Sequence, residues 1–218
     1  SRNIELIIIH YTALKSINDS LKYLCSRANK VSSHYLISKK GKIYSLVSEK
    51  KRAWHAGQSY WKRKKDINSI SIGIELDYCP SFKKNKFSND LNSSLLILLK
   101  RIIKKYKIPP ENILGHSDIA PYRKFDPGKN FPWYLIENEG LAFKIKAIKK
   151  DKFVKILIEK WLQKNQFKSK KKKILFMLNY IGYDISKSTT NHYAFNQLIN
   201  AYSHRHWYYK NFNYNKNN

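Results

Sequence analysis

The stretch from Gly115 to Trp133 constrains the fold more than any other part of the sequence. Proline stands at positions 121, 127 and 132, and Gly128 follows Pro127 directly. That spacing rules out a regular helix or a central strand, so the segment reads as turns and extended chain. It still carries His116, Asp118, Lys124 and Asp126. In an extended chain, residues two apart point the same way. Lys124 and Asp126 are therefore expected to face one pocket, with Phe125 turned into the core. A neutral imidazole and a carboxylate are zinc ligands, but two ligands do not make a site, and a third must come from elsewhere.

Upstream, Glu5 to His10 is a short apolar run typical of a buried strand, and it delivers His10 at its end. A helix is expected from Asn18 to Ser26, with Leu21 and Leu24 inward. Strands follow at Val31 to Ile37 and Ile43 to Val47, joined by a turn through Lys39-Lys40-Gly41-Lys42, where glycine supplies positive φ. Ser71 to Leu76 alternates: Ile72, Ile74 and Leu76 on one face, Ser71, Gly73 and Glu75 on the other. Leu91 to Tyr106 is the clearest helix, apolar at Leu95, Leu98, Leu99 and Ile102, and Pro109-Pro110 closes it. A short strand from Asn112 to Leu114 then feeds His116. Strands mixed with helices over this region predict an α/β domain with one central mixed sheet flanked by helices.

Residues 1–145 are expected to form that domain, and 146–152 a charged connector. Residues 153–218 are expected to form a small all-α bundle docked on it, with helices near 153–164, 171–181 and 190–207. About 65 residues make a marginal core alone. No apolar run reaches the roughly 20 residues of a membrane helix. The chain begins without Met, which leaves room for a leader or a lipid anchor outside it.

The formal net charge is +28 in 218 residues. The lysines are scattered along the chain and no nucleic-acid recognition motif accompanies them, so no specific nucleic-acid partner is expected. Attraction to acidic polymers needs no motif. Cys25 and Cys79 lie outside any CxxC pattern; two free thiols are the simpler expectation, with a single disulfide left open.

His10, His116 and Asp126 each have an ordinary structural explanation, and their case rests on combination. Two imidazoles and one carboxylate leave a fourth zinc position open, the catalytic arrangement. Glu75, on the polar side of an otherwise apolar strand, is an expensive burial without a task.

Five separated motifs carry a resemblance. Ile9-His10-Tyr11-Thr12, Ser33-His34-Tyr35, Ala53-Trp54-His55-Ala56-Gly57 and Ser71-Ile72-Gly73-Ile74-Glu75 come first. Gly115-His116-Ser117-Asp118-Ile119-Ala120-Pro121, with Lys124-Phe125-Asp126-Pro127-Gly128, completes the set. In this order they resemble the zinc N-acetylmuramoyl-L-alanine amidases of the AmpD/AmiD group, relatives of the peptidoglycan recognition proteins, over nearly all of residues 4 to 134. The resemblance implies one catalytic Zn2+ held by His10, His116 and Asp126, Glu75 as acid/base and Lys124 as transition-state stabiliser. It implies cleavage of the amide between N-acetylmuramic acid, or its anhydro form, and L-alanine of peptidoglycan or muropeptides. Tyr11, Thr12, His34, Trp54 and His55 are the candidate substrate contacts, with support of the metal ligands or plain packing as their alternative role. The runner-up function is a non-catalytic peptidoglycan-binding protein of the same fold.

Leu178-Asn179-Tyr180-Ile181-Gly182-Tyr183-Asp184 and Ala194-Phe195 are similar to the helical peptidoglycan-binding module that follows the catalytic domain in the AmiD branch. That branch implies a periplasmic place in the bacterial cell envelope, anchored at the outer membrane; the single-domain AmpD branch implies the cytoplasm. A monomer is expected. The ending departs from the pattern: His204-Arg205-His206-Trp207 and an Asn-rich tail replace a last helix, so the module is expected to bind wall weakly or only to shore up its neighbour. His204 and His206 read as an exposed basic, aromatic tail.

Overall fold

The computed structural model describes residues 2–82, 86–144, 152–164, 167 and 169–206. Its centre is a five-stranded sheet built from β1 (Leu6–Tyr11), β2 (Tyr35–Ile37), β3 (Ile43–Ser45), β4 (Ser71–Leu76) and β5 (Ile113–Gly115), in the order β3-β2-β4-β1-β5. β1 lies between β4 and β5 and is parallel to both; β2 is parallel to β4, and β3 is antiparallel to β2. The sheet is mixed, as the sequence predicts. The helices are α1 (Ile17–Cys25), α2 (Ile67–Ile70), α3 (Asn89–Tyr106), α4 (His116–Ile119), α5 (Trp133–Asn138), α6 (Lys152–Lys164), α7 (Lys170–Ile181) and α8 (His192–His206).

Alternation sends the two sides of β1 and β4 to two cores. Ile7, Ile9, Ile72, Ile74 and Leu76 pack against Leu91, Leu95, Leu98, Leu99 and Ile102 of α3. Those α3 positions recur at three- and four-residue intervals, one face of a helix. Burial of each stabilises by about 1.5–3 kcal/mol. Ser88 caps the helix by accepting from Leu91 N at 3.3 Å. On the opposite face, Leu6, Ile8, Trp61, Leu114 and Ile119 join Leu175, Leu178, Tyr183 and Leu198 in a second core. α7, α8 and the link between them therefore cover the sheet directly. The segment expected to be a connector, 146–152, lies almost wholly outside the described residues.

Several expectations need correction. The β2–β4 ladder begins at Tyr35↔Ile74 rather than at Val31: one step earlier the His34 ring, not its backbone, takes Gly73 N. Before that, Ser32 and Trp54 bond each other: Ser32 N donates to Trp54 O at 3.1 Å, and Trp54 N to Ser32 Oγ at 3.0 Å. His116 does not continue extended chain but opens the single turn α4. Phe125 is 60% exposed instead of buried. The backbone from Ala120 to Lys124 folds into turns, with Arg123 N and Lys124 N both donating to Ala120 O at 3.1 Å, so strand-like alternation does not govern Phe125. His204 and His206 are half-buried in α8, where the His206 ring packs on Tyr202 at 4.7 Å, rather than in an exposed tail. Cys25 and Cys79 form no disulfide.

Candidate metal centre and cleft

The carboxyl ends of parallel strands are where open α/β sheets gather their sites. His10 and Glu75 are register partners at the ends of β1 and β4, so both point to the face opposite α3. His116 follows the last residue of β5, and Ile9↔Gly115 sets that end beside β1. Asp126 arrives from the turn beyond. Ser117 N donates to Asp126 O at 2.9 Å, and Gly115 permits the approach: a Cβ there would lie 2.5 Å from Pro127 Cδ.

Three atoms converge. His10 Nδ1 lies 2.9 Å from His116 Nδ1 and 3.0 Å from Asp126 Oδ2, and His116 Nδ1 lies 3.1 Å from the same oxygen. All three side chains are buried. Burial, then the neighbouring His116, lowers the His10 pKa to about 4, so its imidazole is neutral. His116 Nε2 sits 3.2 Å from Ala56 O, a carbonyl that can only accept, so the ring proton belongs there and Nδ1 keeps its lone pair. Arg123 Nη2 also approaches that nitrogen, at 3.4 Å, while Arg123 donates to Ala56 O and to Gln58 O. Two imidazole nitrogens and one carboxylate oxygen thus crowd one point. The cluster can hold a metal ion, and its donor set suits zinc with one position open.

Around this cluster is a cleft of about 490 Å³ whose wall includes Tyr11, Thr12, Trp54, Glu75 and Lys124. Glu75 is buried, and its Oε2 has no hydrogen-bond partner. Burial first, then the Asp126 carboxylate, raises its pKa to about 8, against the opposing pull of Lys124. Thr12 Oγ1 is likewise buried without a partner. Trp54 is 56% exposed, and the Arg52 guanidinium lies over its ring at 4.3 Å. A second hollow of about 560 Å³, beside α1, shares Leu24, Lys30, Val31 and Trp54 with the cleft, so the two run together as a groove.

Of the candidate substrate contacts, His34 lies outside the cleft lining, while His55 lines the cleft from its buried floor. His34 is fully buried behind the cleft wall, with its backbone N donating to Gly73 O at 3.1 Å and its Nδ1 accepting from Gly73 N at 3.0 Å. His55 is buried between His34 and His10. Asp118, two residues beyond His116, turns away from the cleft; Gly115 N donates to its Oδ2 at 2.7 Å and Tyr183 Oη to its Oδ1 at 2.6 Å. Asn68 is a residue the sequence did not single out: its Oδ1 accepts from His55 N at 3.0 Å and Ala56 N at 2.8 Å, fixing that loop. The one available signal was Gly73, a glycine inside a strand, which marks a close approach.

The family model described as N-acetylmuramoyl-L-alanine amidase matches residues 1–129. N-acetylmuramoyl-L-alanine amidase AmiD of Escherichia coli is 38% identical over 157 residues, 64% of this chain and 54% of the relative. The 1,6-anhydro-N-acetylmuramyl-L-alanine amidase AmpD of Haemophilus influenzae is 41% identical over 105 residues, 48% of this chain and 55% of the relative. The chain thus spans about half the length of the curated relatives it matches. Among solved structures, E. coli AmiD in complex with the substrate anhydro-N-acetylmuramic acid-L-Ala-D-gamma-Glu-L-Lys superposes with a TM-score of 0.79 at 32% identity, covering 94% of this chain and 80% of that one. AmpDh3 of Pseudomonas aeruginosa in complex with anhydromuramic pentapeptide gives 0.80 at 28% identity, covering 94% and 84%.

Proposed function

This chain belongs to the N-acetylmuramoyl-L-alanine amidase family, and we propose that it is a zinc hydrolase of peptidoglycan fragments. The bond cleaved is the amide between the lactyl group of N-acetylmuramic acid, or its anhydro form, and L-alanine of the stem peptide. One observation carries this: three converging lone pairs and the unpartnered Oε2 of Glu75 share one cleft. His10, His116 and Asp126 would hold the zinc. When bound, the ion supplies Lewis acidity that polarises the scissile carbonyl and activates water near neutral pH.

The chain's own residues supply the rest. Glu75 accepts the proton of the attacking water at Oε2 and returns it to the departing alanine nitrogen. Lys124, close enough to Glu75 to pull its pKa down, places an ammonium where the oxyanion develops. Thr12 Oγ1, buried and unpartnered, and the half-buried Tyr11 are positioned to bind substrate polar groups. The exposed Trp54 ring suits stacking on a sugar or a peptide plane along the groove. The anhydromuramyl peptides held by the two related structures support a fragment of that size as substrate.

Residues 1–145 would be the catalytic unit and 153–218 a helical unit packed on it. Superposition on AmiD over 94% of the chain supports a place in the cell envelope. Among the described residues no helix is long and apolar enough to cross a membrane.

The test is mass spectrometry of anhydro-muropeptides and purified sacculi after incubation with zinc-loaded protein, beside a chelated control. Zinc-dependent release of stem peptides beginning with L-alanine is expected, and the relative rates rank the two substrates. Intact substrate in the presence of bound zinc would replace hydrolysis with peptidoglycan binding as the function.

A further inference from the structure

The geometry points to His55 as the residue that decides which nitrogen of His10 faces the metal, with Ser71 deciding for His55 in turn. This rests on the metal reading above and adds a positioning role to it.

The protons can be followed from one end. Ile67 O is a carbonyl and can only accept, and Ser71 Oγ lies 2.6 Å from it, so the hydroxyl proton is donated there. At its other contact, 3.1 Å from His55 Nε2, Ser71 Oγ must then accept, which puts the ring proton of His55 on Nε2. His55 is buried, and a neutral imidazole has one N–H, so Nδ1 carries a lone pair. That lone pair faces His10 Nε2 at 3.0 Å. His10 Nε2 therefore carries the proton, and Nδ1 is left bare toward His116 and Asp126. Three hydrogen bonds run in one direction, from His10 to the carbonyl of Ile67, and each partner has one role open to it. Ligating histidines are held in this way by the partner of their other nitrogen.

The surroundings are built to the shape of the His55 ring. A Cβ on Gly73 would lie 2.5 Å from His55 Cγ and 2.7 Å from Cδ2, so the ring occupies space that any side chain on the strand would fill. Glycine inside a strand weakens it and marks a place where another group comes close. His34 grips Gly73 through both its N–H and its carbonyl, and Asn68 holds the backbone of His55. Three of the family-like motifs thus serve one purpose: Ser33-His34-Tyr35 steadies the glycine, Ser71-Ile72-Gly73 supplies the gap and the acceptor, and Trp54-His55-Ala56 fills it.

His55→Phe and His55→Gln separate orientation from packing. Phenylalanine keeps the ring and removes the acceptor; glutamine loses the ring and keeps an acceptor for His10 Nε2–H. Zinc affinity is read by competition with a chromophoric chelator, and the His10 tautomer by long-range 1H–15N correlation in the metal-free protein. The expected result is a loss of zinc affinity of about 10–100-fold for His55→Phe, with His10 shifting away from the Nε2–H form, while His55→Gln stays nearer wild type in both readouts. Equal zinc binding and an unchanged tautomer in His55→Phe would overturn the inference, and so would a better-preserved site in His55→Phe than in His55→Gln. Should His55→Phe fail to fold, Ser71→Ala carries the same two readouts, with a smaller loss in the same direction expected and no change overturning the inference. If the wild type binds no zinc, the metal reading falls while the tautomer measurement still decides the relay.

Discussion

His116 and Asp118 stand two residues apart in the one turn of α4, and they belong to opposite kinds of buried polar cluster. On the cleft side, His10, His116 and Asp126 aim lone pairs at one another, and Glu75 Oε2 and Thr12 Oγ1 have no partner. On the junction side, Asp118 accepts from Gly115 N and Tyr183 Oη, and Arg205 pairs with Glu137 at 2.5 Å with its guanidinium 3.8 Å over Trp133. Tyr122 Oη donates to Asp184 O at 2.7 Å across the same junction. A buried polar group without a partner costs about 1–3 kcal/mol, so the first cluster persists against a penalty that the second has removed. The cleft is left incomplete for something that enters; the junction is finished and holds the C-terminal helices to the sheet.

Breaking the incomplete side should have the largest effect. With Glu75→Gln, turnover of an anhydro-muropeptide is expected to fall by about 10²–10⁴-fold while metal analysis still finds zinc; unchanged turnover would move the base to another residue. Breaking the finished side should cost stability first. Arg205→Ala removes one partner of the buried Arg205–Glu137 ion pair, and urea unfolding is expected to lose about 3–5 kcal/mol. Tyr183→Phe strands one Asp118 oxygen, a loss of about 1–3 kcal/mol by the same assay. A loss under half a kilocalorie would mean that solvent reaches the junction.

The same contrast can be sharpened through pH. The Glu75 pKa is raised to about 8 in the folded protein. Unfolding releases its proton, so the metal-free protein loses stability as pH rises from about 4.5 to about 8, by up to about 1.4 kcal/mol per pH unit. Wild-type and Glu75→Gln melts should therefore diverge across that window. The gap should shrink once zinc is loaded beside the carboxylate, and parallel melts would place Glu75 in contact with water.

Local pattern revealed what local sequence determines. Ile7-Ile8-Ile9 as a buried strand, the alternation of β4 and the apolar stripe of α3 are periodicities of a few residues, and the structure contains all three. So was the idea that Lys124 and Asp126 border one cleft. What stayed hidden depends on distant partners. β2 is shortened where the His34 ring takes Gly73 N, and Phe125 is turned outward by bonds to Ala120 O. His55 lines the cleft, but its packing on Gly73 and its bond to Ser71 depend on β4, which follows it in sequence. Both faces of β4 proved buried, because the His55 ring covers the side on which Ser71 and Gly73 lie.

The strand order has a consequence in time. β1 is synthesised before its neighbours in the sheet, residues 71–76 and 113–115, and the imidazoles of His10 and His116 are separated by 106 positions. Neither edge of β1 can be satisfied until most of the matched region has been made, and contacts so remote in sequence are slow to close. The His10–His116–Asp126 cluster is therefore among the last features to assemble on a nascent chain. A folding intermediate lacking β5 has no place for the ion, and the appearance of high-affinity zinc binding during refolding would mark insertion of the first strand between its two partners.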